Sequence, residues 1–238
     1  MTSLRITEGE ADFNVPAAGK ACKTWYKTFG DLSSGTRPLV GLQGGPGTGH
    51  NYLLSLEDLA SKHGIPVVLY DQLNTGDSTH PQDKRGDASF WTHGVCQPVG
   101  LHRLVIADSP ADVRVWVVAA NKLRRQLPQD VQDVLKRHED DGTTDSPEYQ
   151  ETVMEFYGRH LCRRDPTVYH TMNRPSEFYV IGSLKDWAIT ERLHKINVPT
   201  LLLNGRYDEA MDEVAEPYFE KVDKARWVTF AESSHMPH

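Results

Sequence analysis

The sequence predicts an α/β fold, and three features of the chain support that prediction. Short apolar runs such as residues 39–42 and 65–70 end in turns and predict buried strands. A helical segment at residues 55–63 separates these two runs, which is typical of a parallel sheet. The same order of strand, helix and strand returns near the end of the chain, at residues 200–231.

The strands and helices of the predicted sheet follow one another at short intervals. Strands are predicted at residues 23–29, 39–42, 65–70, 101–107, 200–204 and 226–231, and helices at residues 55–63 and 214–222. The first helix ends at Gly64, a residue that commonly terminates helices. Such a chain is expected to form a parallel sheet covered by helices.

The stretch from residue 110 to 192 is predicted to be a helical insertion. Ser109 is expected to cap its first helix, which Pro110 opens. The predicted helices cover residues 113–127, residues 129–141 and a segment from residue 147 onwards. We expect the insertion to form a cap over an α/β core made of residues 1–109 and 193–238, an arrangement that roofs an active site.

The composition excludes several classes of protein. The 238 residues include 26 Lys and Arg against 33 Asp and Glu, a formal net charge of −7, whereas nucleic-acid and anionic-membrane binders present a basic face. The three widely spaced cysteines, Cys22, Cys96 and Cys162, form neither a disulfide framework nor a zinc motif. Because the sequence shows no signal peptide and no apolar run of about 18 residues, we expect a cytoplasmic protein with no metal, cofactor, nucleic acid or membrane among its partners.

A glycine-rich loop, QGGPG at residues 43–47, follows the predicted strand at residues 39–42. Glycines let the backbone turn sharply and present N–H groups, as the oxyanion-binding loops of acyl-transfer enzymes do. A plain turn is the alternative, because glycine clusters are common in turns. The loop is not of the phosphate-binding type, since no Gly-Lys-Ser/Thr follows it.

Two polar residues stand after successive predicted strands. Asp208 follows the strand at residues 200–204, and His235 follows the strand at residues 226–231. Because the ends of parallel strands meet at one edge of a sheet, Asp208 can hold the His235 imidazole in the tautomer that a general base needs. His235 alone would be interpreted as a surface histidine, but its pairing with Asp208 favours a catalytic role.

Eight segments of the chain carry a family resemblance. In chain order they are GGPG, the turn from Asp71 to Ser78, LVIADSPA, YGRHLCR, MNRPSEF, GSLKDW, GRYDEA and SSHMPH. Together they resemble the proline iminopeptidases, which are serine aminopeptidases of the tricorn-interacting-factor type within the α/β-hydrolases. The resemblance covers nearly the whole chain, and it implies an α/β-hydrolase fold and the removal of an N-terminal residue, proline or a similar one, from peptides.

The resemblance also implies roles for particular residues. The triad acid and base would be Asp208 and His235, the oxyanion loop would contain Gly44 and Gly45, and the pair that binds the substrate's free α-ammonium group would be Glu177 and Glu209. The substrate would then be a small peptide or amino-acid amide, since paired carboxylates under a cap favour a cation. An exposed position on the cap is the alternative for Glu177.

The chain departs from the family pattern at two positions near these residues. Gln43 stands where the family has a histidine before GGPG, which changes the hydrogen bonding of the loop without removing its N–H donors. Arg174 stands where the family usually has a glycine, which places a bulky cation near Glu177 and could alter the pocket.

The largest departure is the nucleophile. The chain contains no Gly-x-Ser-x-Gly elbow, and only residues 93–99 lie between Thr92 and Gly100, where the family has a helix, a strand, the elbow and a further helix. This block has on the order of 40 residues, judged by the usual size of such units. The missing strand would be central, between the strands at residues 39–42 and 101–107, unless those two strands pair directly.

Three residues are candidates to replace the missing serine. Ser78 lies in a turn that is not the nucleophile turn of the family, and Ser109 is better interpreted as a helix cap. Cys96 falls in the gap, and a thiolate beside an imidazole is a competent nucleophile. However, no apolar strand leads to Cys96, and Pro98 replaces the elbow glycine.

The sequence leaves three hypotheses about function. The first is an N-terminal exopeptidase whose chain lacks its nucleophile and is inactive for that reason. The second is a non-catalytic binding module that keeps the ammonium pocket, and the third is a hydrolase of small amides or esters in a biosynthetic pathway. Loss of a central strand removes several buried side chains at about 1.5–3 kcal/mol each, so we expect low or broad thermal unfolding.

Overall fold

The computed structural model describes residues 4–15, 18–44, 49–73, 75–80, 100–160, 176–181 and 185–235. The chain divides into two compact units, one within Met1–Phe90 and the other within Trp91–Pro237. Among the described residues, no helix combines the length and the apolar character needed to cross a membrane.

The first unit contains a four-stranded sheet. Its strands are β1 (Ile6–Phe13), β2 (Cys22–Phe29), β3 (Leu39–Leu42) and β4 (Val67–Tyr70), arranged in the order β1-β2-β4-β3. The β3–β4 pair is parallel, whereas β2 pairs antiparallel with both β1 and β4. The expectation of a wholly parallel sheet was therefore wrong for this half of the chain.

The core of the first unit lies under one face of this sheet. A short 3₁₀ helix (His50–Leu56) and α1 (Glu57–His63) connect β3 to β4, and Gly64 ends α1 in the left-handed conformation expected of it. Phe29, Val67 and Leu69 are fully or almost fully buried there. Each such side chain stabilises the fold by about 1.5–3 kcal/mol.

The second unit contains a parallel sheet of three strands. They are β5 (Leu104–Ala107), β6 (Thr200–Gly205) and β7 (Ala225–Phe230), in that order, and α5 (Asp212–Lys221) connects β6 to β7. Leu202 of β6 packs with Tyr218 of α5 and with Leu193 of a 3₁₀ helix (Thr190–Lys195). The α/β fold predicted for this part of the chain is confirmed, with strand ends shifted by a few residues.

The described part of the predicted insertion contains three α-helices, namely α2 (Val113–Arg124), α3 (Gln129–Asp140) and α4 (Pro147–His160). They surround a cluster of buried side chains that includes Leu135, Tyr149, Val153 and Phe156. The first helix begins later than expected, because Asp112 caps it by accepting a hydrogen bond from the Arg114 N–H at 2.9 Å. The predicted cap at Ser109 was therefore wrong.

The seven described strands form two sheets rather than one. The sheet of the first unit ends at β3, where Val40 is 50% and Leu42 is 55% exposed, and the sheet of the second unit ends at β5, where Val105 is 48% exposed. Direct pairing of these two strands does not occur among the described residues. Each therefore has an edge with apolar side chains in solvent, a feature that proteins usually cover.

Candidate active site

Asp208 and His235 meet at the ends of β6 and β7. Asp208 Oδ1 lies 3.0 Å from His235 Nδ1 and also accepts a hydrogen bond from the Ala210 N–H at 2.8 Å. Asp208 is 2% exposed, and the ring of Trp116 meets the imidazole edge-on with 5.7 Å between centroids. When Nδ1 donates to a buried carboxylate, Nε2 becomes the nitrogen that takes up a proton, which is the geometry of a general base.

The buried side chain of Asn204 connects the two segments that lead to Asp208 and His235. Its Oδ1 accepts hydrogen bonds from Trp227 Nε1 (3.0 Å) and Thr229 Oγ1 (2.8 Å) of β7, and its Nδ2 donates to the Ala210 carbonyl (3.2 Å). A single amide thus joins the end of β6 to β7 and to the loop that contains Asp208.

Gly205 permits the His235 turn to lie directly against the end of β6. A Cβ at this position would overlap the carbonyl oxygens of Ser233 and Ser234. The Tyr207 N–H also donates to the Ser233 carbonyl at 3.0 Å. The backbone that precedes His235 is therefore held by contacts that only glycine allows.

Substitution of Gly205 by alanine is expected to lower the free energy of unfolding by about 1–3 kcal/mol, the usual cost of overpacking, and to displace His235. The matched control is Gly158→Ala in α4, where a new Cβ meets no atom within 4 Å and alanine favours the helix. Urea denaturation of both variants checks this expectation. Equal stability of Gly205→Ala and the unaltered chain would contradict the crowding at Gly205.

Asp108, at the end of β5, is a member of this site that the sequence analysis missed. One carboxylate oxygen of Asp108, one of Asp208 and one ring nitrogen of His235 lie within 4.8 Å of one another. Burial, a hydrogen bond with Asp208 and the charge of Asp208 raise the pKa of Asp108 to about 11. Burial would also raise the pKa of Asp208, but the positive charge of His235 and the hydrogen bond from Asp108 hold that pKa below its ordinary value.

Asp108 has a strained backbone, with a φ of 48°. Asp and Asn tolerate this left-handed region better than most residues, but it is still uncommon for a residue other than glycine. The Asp108 N–H donates to the Leu203 carbonyl at 3.0 Å, which continues the β5–β6 ladder by one residue. The signal that could have found Asp108 is its place directly after a predicted strand in LVIADSPA, at the edge of the sheet where Asp208 also lies.

Two further carboxyl groups, Glu177 and Glu209, lie in the interior of the second unit, and both residues are 1% exposed. The exposed position considered for Glu177 was therefore wrong. Its partner is the buried Tyr157 of α4, whose hydroxyl hydrogen-bonds with the Glu177 carboxylate. Burial, together with the charges of Glu177 and Glu209, raises the pKa of Tyr157, so this hydroxyl stays protonated and acts as a donor.

Glu209 is a buried acid without a hydrogen-bonding partner for either carboxyl oxygen among the described residues. Its Oε1 lies 4.0 Å from His235 Nδ1. Burial, followed by the charges of Glu177, Asp208 and Asp108, raises the pKa of Glu209 well above its ordinary value. A group in this condition favours either a proton or a cation as its neighbour.

The second unit therefore places several carboxyl groups near an imidazole, and they would carry a surplus of negative charge if all of them were ionised. A metal ion is one way to offset such charge, and an aspartate–histidine cluster has suitable donor atoms. Here the Nδ1 atom of His235 is already engaged with Asp208 at 3.0 Å, and the raised pKa of Asp108 lowers the negative charge that the carboxyl pair carries near neutral pH. The donor set is thus explained by hydrogen bonds within the chain.

In the first unit, the predicted oxyanion loop is described only as far as Gly44. The Gly44 N–H donates to the hydroxyl of Tyr52, so any oxyanion would replace an existing acceptor. Gln43 is buried, with its side-chain amide 3.0 Å from Thr75 Oγ1, and thereby connects the loop to the turn that follows β4. Gly45 lies outside the described residues.

The candidate substitutes for the serine have different positions. The Ser78 hydroxyl is used structurally, since it accepts from the Trp25 N–H at 2.8 Å and donates to the Asp71 carbonyl at 2.6 Å. Ser109 follows Asp108 at the start of the segment that leads to α2. Cys96 and Arg174 lie outside the described residues.

Comparison with known proteins identifies close relatives, although no family model matches the chain. A proline iminopeptidase of Thermoplasma volcanium is 32% identical over 243 aligned positions, which cover 83% of this chain and 82% of the relative. A proline iminopeptidase of Saccharolobus solfataricus is also 32% identical, over 89% of this chain and 83% of the relative. Because 83% of 238 residues is fewer than 200, the first alignment includes about 45 positions at which this chain has no residue, the size of a missing strand–helix block.

Comparison with solved structures also finds a proline iminopeptidase among the similar proteins. The crystal structure of VinJ is 36% identical with a TM-score of 0.79, and it covers 97% of this chain and 93% of VinJ. A proline iminopeptidase of Mycobacterium smegmatis is 33% identical with a TM-score of 0.77, covering 97% of this chain and 92% of that protein. A bromoperoxidase of Bacillus anthracis, 13% identical with a TM-score of 0.57, shares the fold alone.

Proposed function

The chain belongs to the proline iminopeptidase family of α/β-hydrolases, and from that premise we propose that it binds small peptides or amino-acid amides through their free N-terminus. We propose further that it keeps the acid and base of a serine aminopeptidase without the nucleophile, so that it does not hydrolyse what it binds. The observation that supports binding most directly is the buried carboxyl group of Glu209, which lies beside Glu177 and has no hydrogen-bonding partner among the described residues.

A protonated amine is the ligand that this carboxyl group favours, because the amine can replace the proton that burial retains on Glu209. Glu209 lacks a hydrogen-bond donor among the described residues, and an α-ammonium group supplies up to three donors together with a positive charge. Tyr157 holds Glu177 by a hydrogen bond, which orients the second carboxylate before a ligand arrives. In this proposal the helices of residues 110–192 are the cap that closes over the ligand, and Glu177 is the cap residue that contacts it.

The catalytic half of the proposal concerns Asp208 and His235. Their 3.0 Å contact is what a triad acid and base need, and Gly44 and Gly45 would contribute the oxyanion loop. A Gly-x-Ser-x-Gly motif is absent from the sequence, and the alignment deficit of about 45 positions agrees in size with the block that would contain it. Without a nucleophile no acyl-enzyme forms, and the pair has no proton to transfer.

The cell compartment is part of the same proposal. Cys22 is buried and free, and unpaired thiols suit the reducing cytoplasm. A peptide with an exposed N-terminus is also a ligand that this compartment supplies. We therefore place the chain in the cytoplasm.

A pair of assays tests the proposal. Prolinamide is titrated into the purified chain by calorimetry, with N-acetylprolinamide as the matched ligand that lacks the ammonium group, and proline p-nitroanilide is offered as a chromogenic substrate. We expect prolinamide alone to bind, and no release of nitroaniline above background. Equal binding of the two amides, or of neither, would refute the ammonium site.

Turnover of the arylamide would refute the inactive state, and two variants would identify its source. Activity lost in His235→Ala and kept in Cys96→Ala would indicate a working hydrolase with a nucleophile other than Cys96. Activity lost in both variants would assign the nucleophile to Cys96.

A further inference from the structure

Asp108 and Asp208 are two carboxyl groups at the ends of neighbouring strands. One oxygen of each, Asp108 Oδ1 and Asp208 Oδ2, is buried and accepts no hydrogen bond from an N–H or a hydroxyl of the described residues. The other oxygen of Asp208 is already engaged, by His235 and by the Ala210 N–H. Two buried acceptors with no donor are costly to the fold, unless one of the two carboxyl groups supplies the donor itself.

We propose that Asp108 is a carboxylic acid that donates its proton in a hydrogen bond to Asp208, and so acts as the positioning residue that holds the Asp208 carboxylate against His235. This arrangement satisfies both orphaned oxygens with a single proton. It also leaves Asp208 as the ionised member of the pair, because Asp208 is the one that lies 3.0 Å from the imidazole.

The strained backbone of Asp108 supports this role. A φ of 48° in a residue other than glycine is strained and persists only where the surrounding contacts compensate it. The hydrogen bond to Asp208 is such a contact. One neighbour opposes the proton, since the Gly205 N–H donates to Asp108 and favours its ionised form. Burial and the negative charge of Asp208 act more strongly in the other direction, while Asp208 itself faces the His235 ring at 3.0 Å and lies near Glu209.

The inference uses the proposed function only to name the pair that Asp108 positions. The proton itself can be measured in a chain that binds and hydrolyses nothing. Failure of the prolinamide and arylamide assays would therefore leave this inference standing, and its own failure would leave the ammonium site standing.

A proton held by the folded chain has a defined effect on stability. In the unfolded chain Asp108 titrates near 3.8, whereas in the fold its pKa is raised. Its contribution to stability is therefore complete below about pH 4 and is lost as the pH rises towards the folded value. Substitution by asparagine keeps an amide donor to Asp208, tolerates the positive φ and removes this dependence.

The experiment is urea denaturation of the unaltered chain and of Asp108→Asn between pH 5 and pH 8. As the pH rises, we expect the unaltered chain to lose stability relative to Asp108→Asn, so that the ratio of their folding equilibrium constants changes by about tenfold per pH unit. The matched control is Asp112→Asn, because Arg114 holds the pKa of Asp112 below its ordinary value. Asp112→Asn should destabilise the chain by a factor that is constant in this range.

A constant ratio for Asp108→Asn would show that Asp108 is ionised and would overturn the proposal. Should the variant fail to fold, the unaltered chain labelled with ¹³C-aspartate decides the matter. The Asp108 carboxyl carbon should keep its protonated chemical shift from pH 5 to pH 8, and ionisation below pH 5 would overturn the proposal. Stoichiometric binding of Zn²⁺ by the dialysed chain, lost in Asp108→Asn, would also overturn it.

Discussion

Replacing Glu209 by glutamine is expected to weaken the binding of prolinamide by about 100-fold or more. The two side chains have nearly the same shape, so the substitution removes a charge and little else. Breaking a buried ion pair by removing one partner costs about 3–5 kcal/mol, and about 1.4 kcal/mol corresponds to tenfold in affinity. Calorimetry on the variant measures the change directly.

The ionisation of Glu209 predicts how the binding of prolinamide depends on pH. The pKa of Glu209 is raised well above its ordinary value because the carboxyl is buried beside Glu177 and the two aspartates, and an ammonium ligand favours the ionised form. Binding should therefore release a proton from Glu209, and affinity should increase as the pH rises while the amine stays protonated. Titrations in two buffers of different ionisation enthalpy detect that proton, which should be absent in Glu209→Gln.

A stability measurement on Glu209→Gln distinguishes a variant that has lost binding from one that has lost its fold. The contribution of Glu209 to stability is complete below its unfolded pKa of about 4.5 and is lost as the pH rises towards the folded value. Glu209→Gln should therefore be at least as stable as the unaltered chain at pH 7. Glu191→Gln is the control, because the Glu191 side chain is 93% exposed. An unaltered affinity for prolinamide in Glu209→Gln would exclude Glu209 from the ammonium site.

The contact between Asp208 and His235 was accessible from sequence because it follows from strand order. Asp208 and His235 each follow an apolar run, and parallel strands bring such positions to one edge. The structure brings the two side chains into contact at 3.0 Å. The local features were simple as well, since each of the two strands is a short run rich in apolar residues that ends in a turn.

Other features depend on contacts that no local pattern reveals. Strand β1 exposes almost every residue, so it lacks the apolar alternation of a half-buried strand, and its pairing with β2 along eight residues defines it. Asp108 was hidden by the proline that follows Ser109, which suggested a helix start there. Tyr157 was missed because an aromatic residue on the buried face of a helix is normally a core residue, and its contact with Glu177 arises only in the folded chain.

The division into two sheets has a different cause, because it reflects residues that the chain does not contain. The edges at β3 and β5 are those between which the sequence analysis placed the missing strand. Val40, Leu42 and Val105 of these two strands are exposed, as are Val228 and Phe230 of β7 at the other edge of the second sheet. The missing Gly-x-Ser-x-Gly motif and the missing strand are both assigned to the one short segment between Thr92 and Gly100.

Insertion of the missing block between Thr92 and Gly100 is therefore expected to restore both activity and stability. The block is taken from the proline iminopeptidase of Mycobacterium smegmatis, which is 33% identical to this chain. A serine placed beside the Asp208–His235 pair should raise turnover of proline p-nitroanilide by on the order of 10⁶-fold, the scale on which such triads act. The inserted strand should add on the order of 10 kcal/mol by burying several apolar side chains.

A second insertion, identical except that alanine replaces the elbow serine, separates the two effects. It should raise the melting temperature as much as the first and leave turnover at background, because the strand contributes packing and only the hydroxyl contributes a nucleophile. Thermal unfolding and arylamide hydrolysis, measured on both insertions, check this. If the unaltered chain already unfolds in one sharp transition above about 60 °C, the top of the usual mesophile range, then the missing strand is not a deficit in stability. If the serine insertion folds without turnover, the Asp208–His235 pair is not a working acid and base.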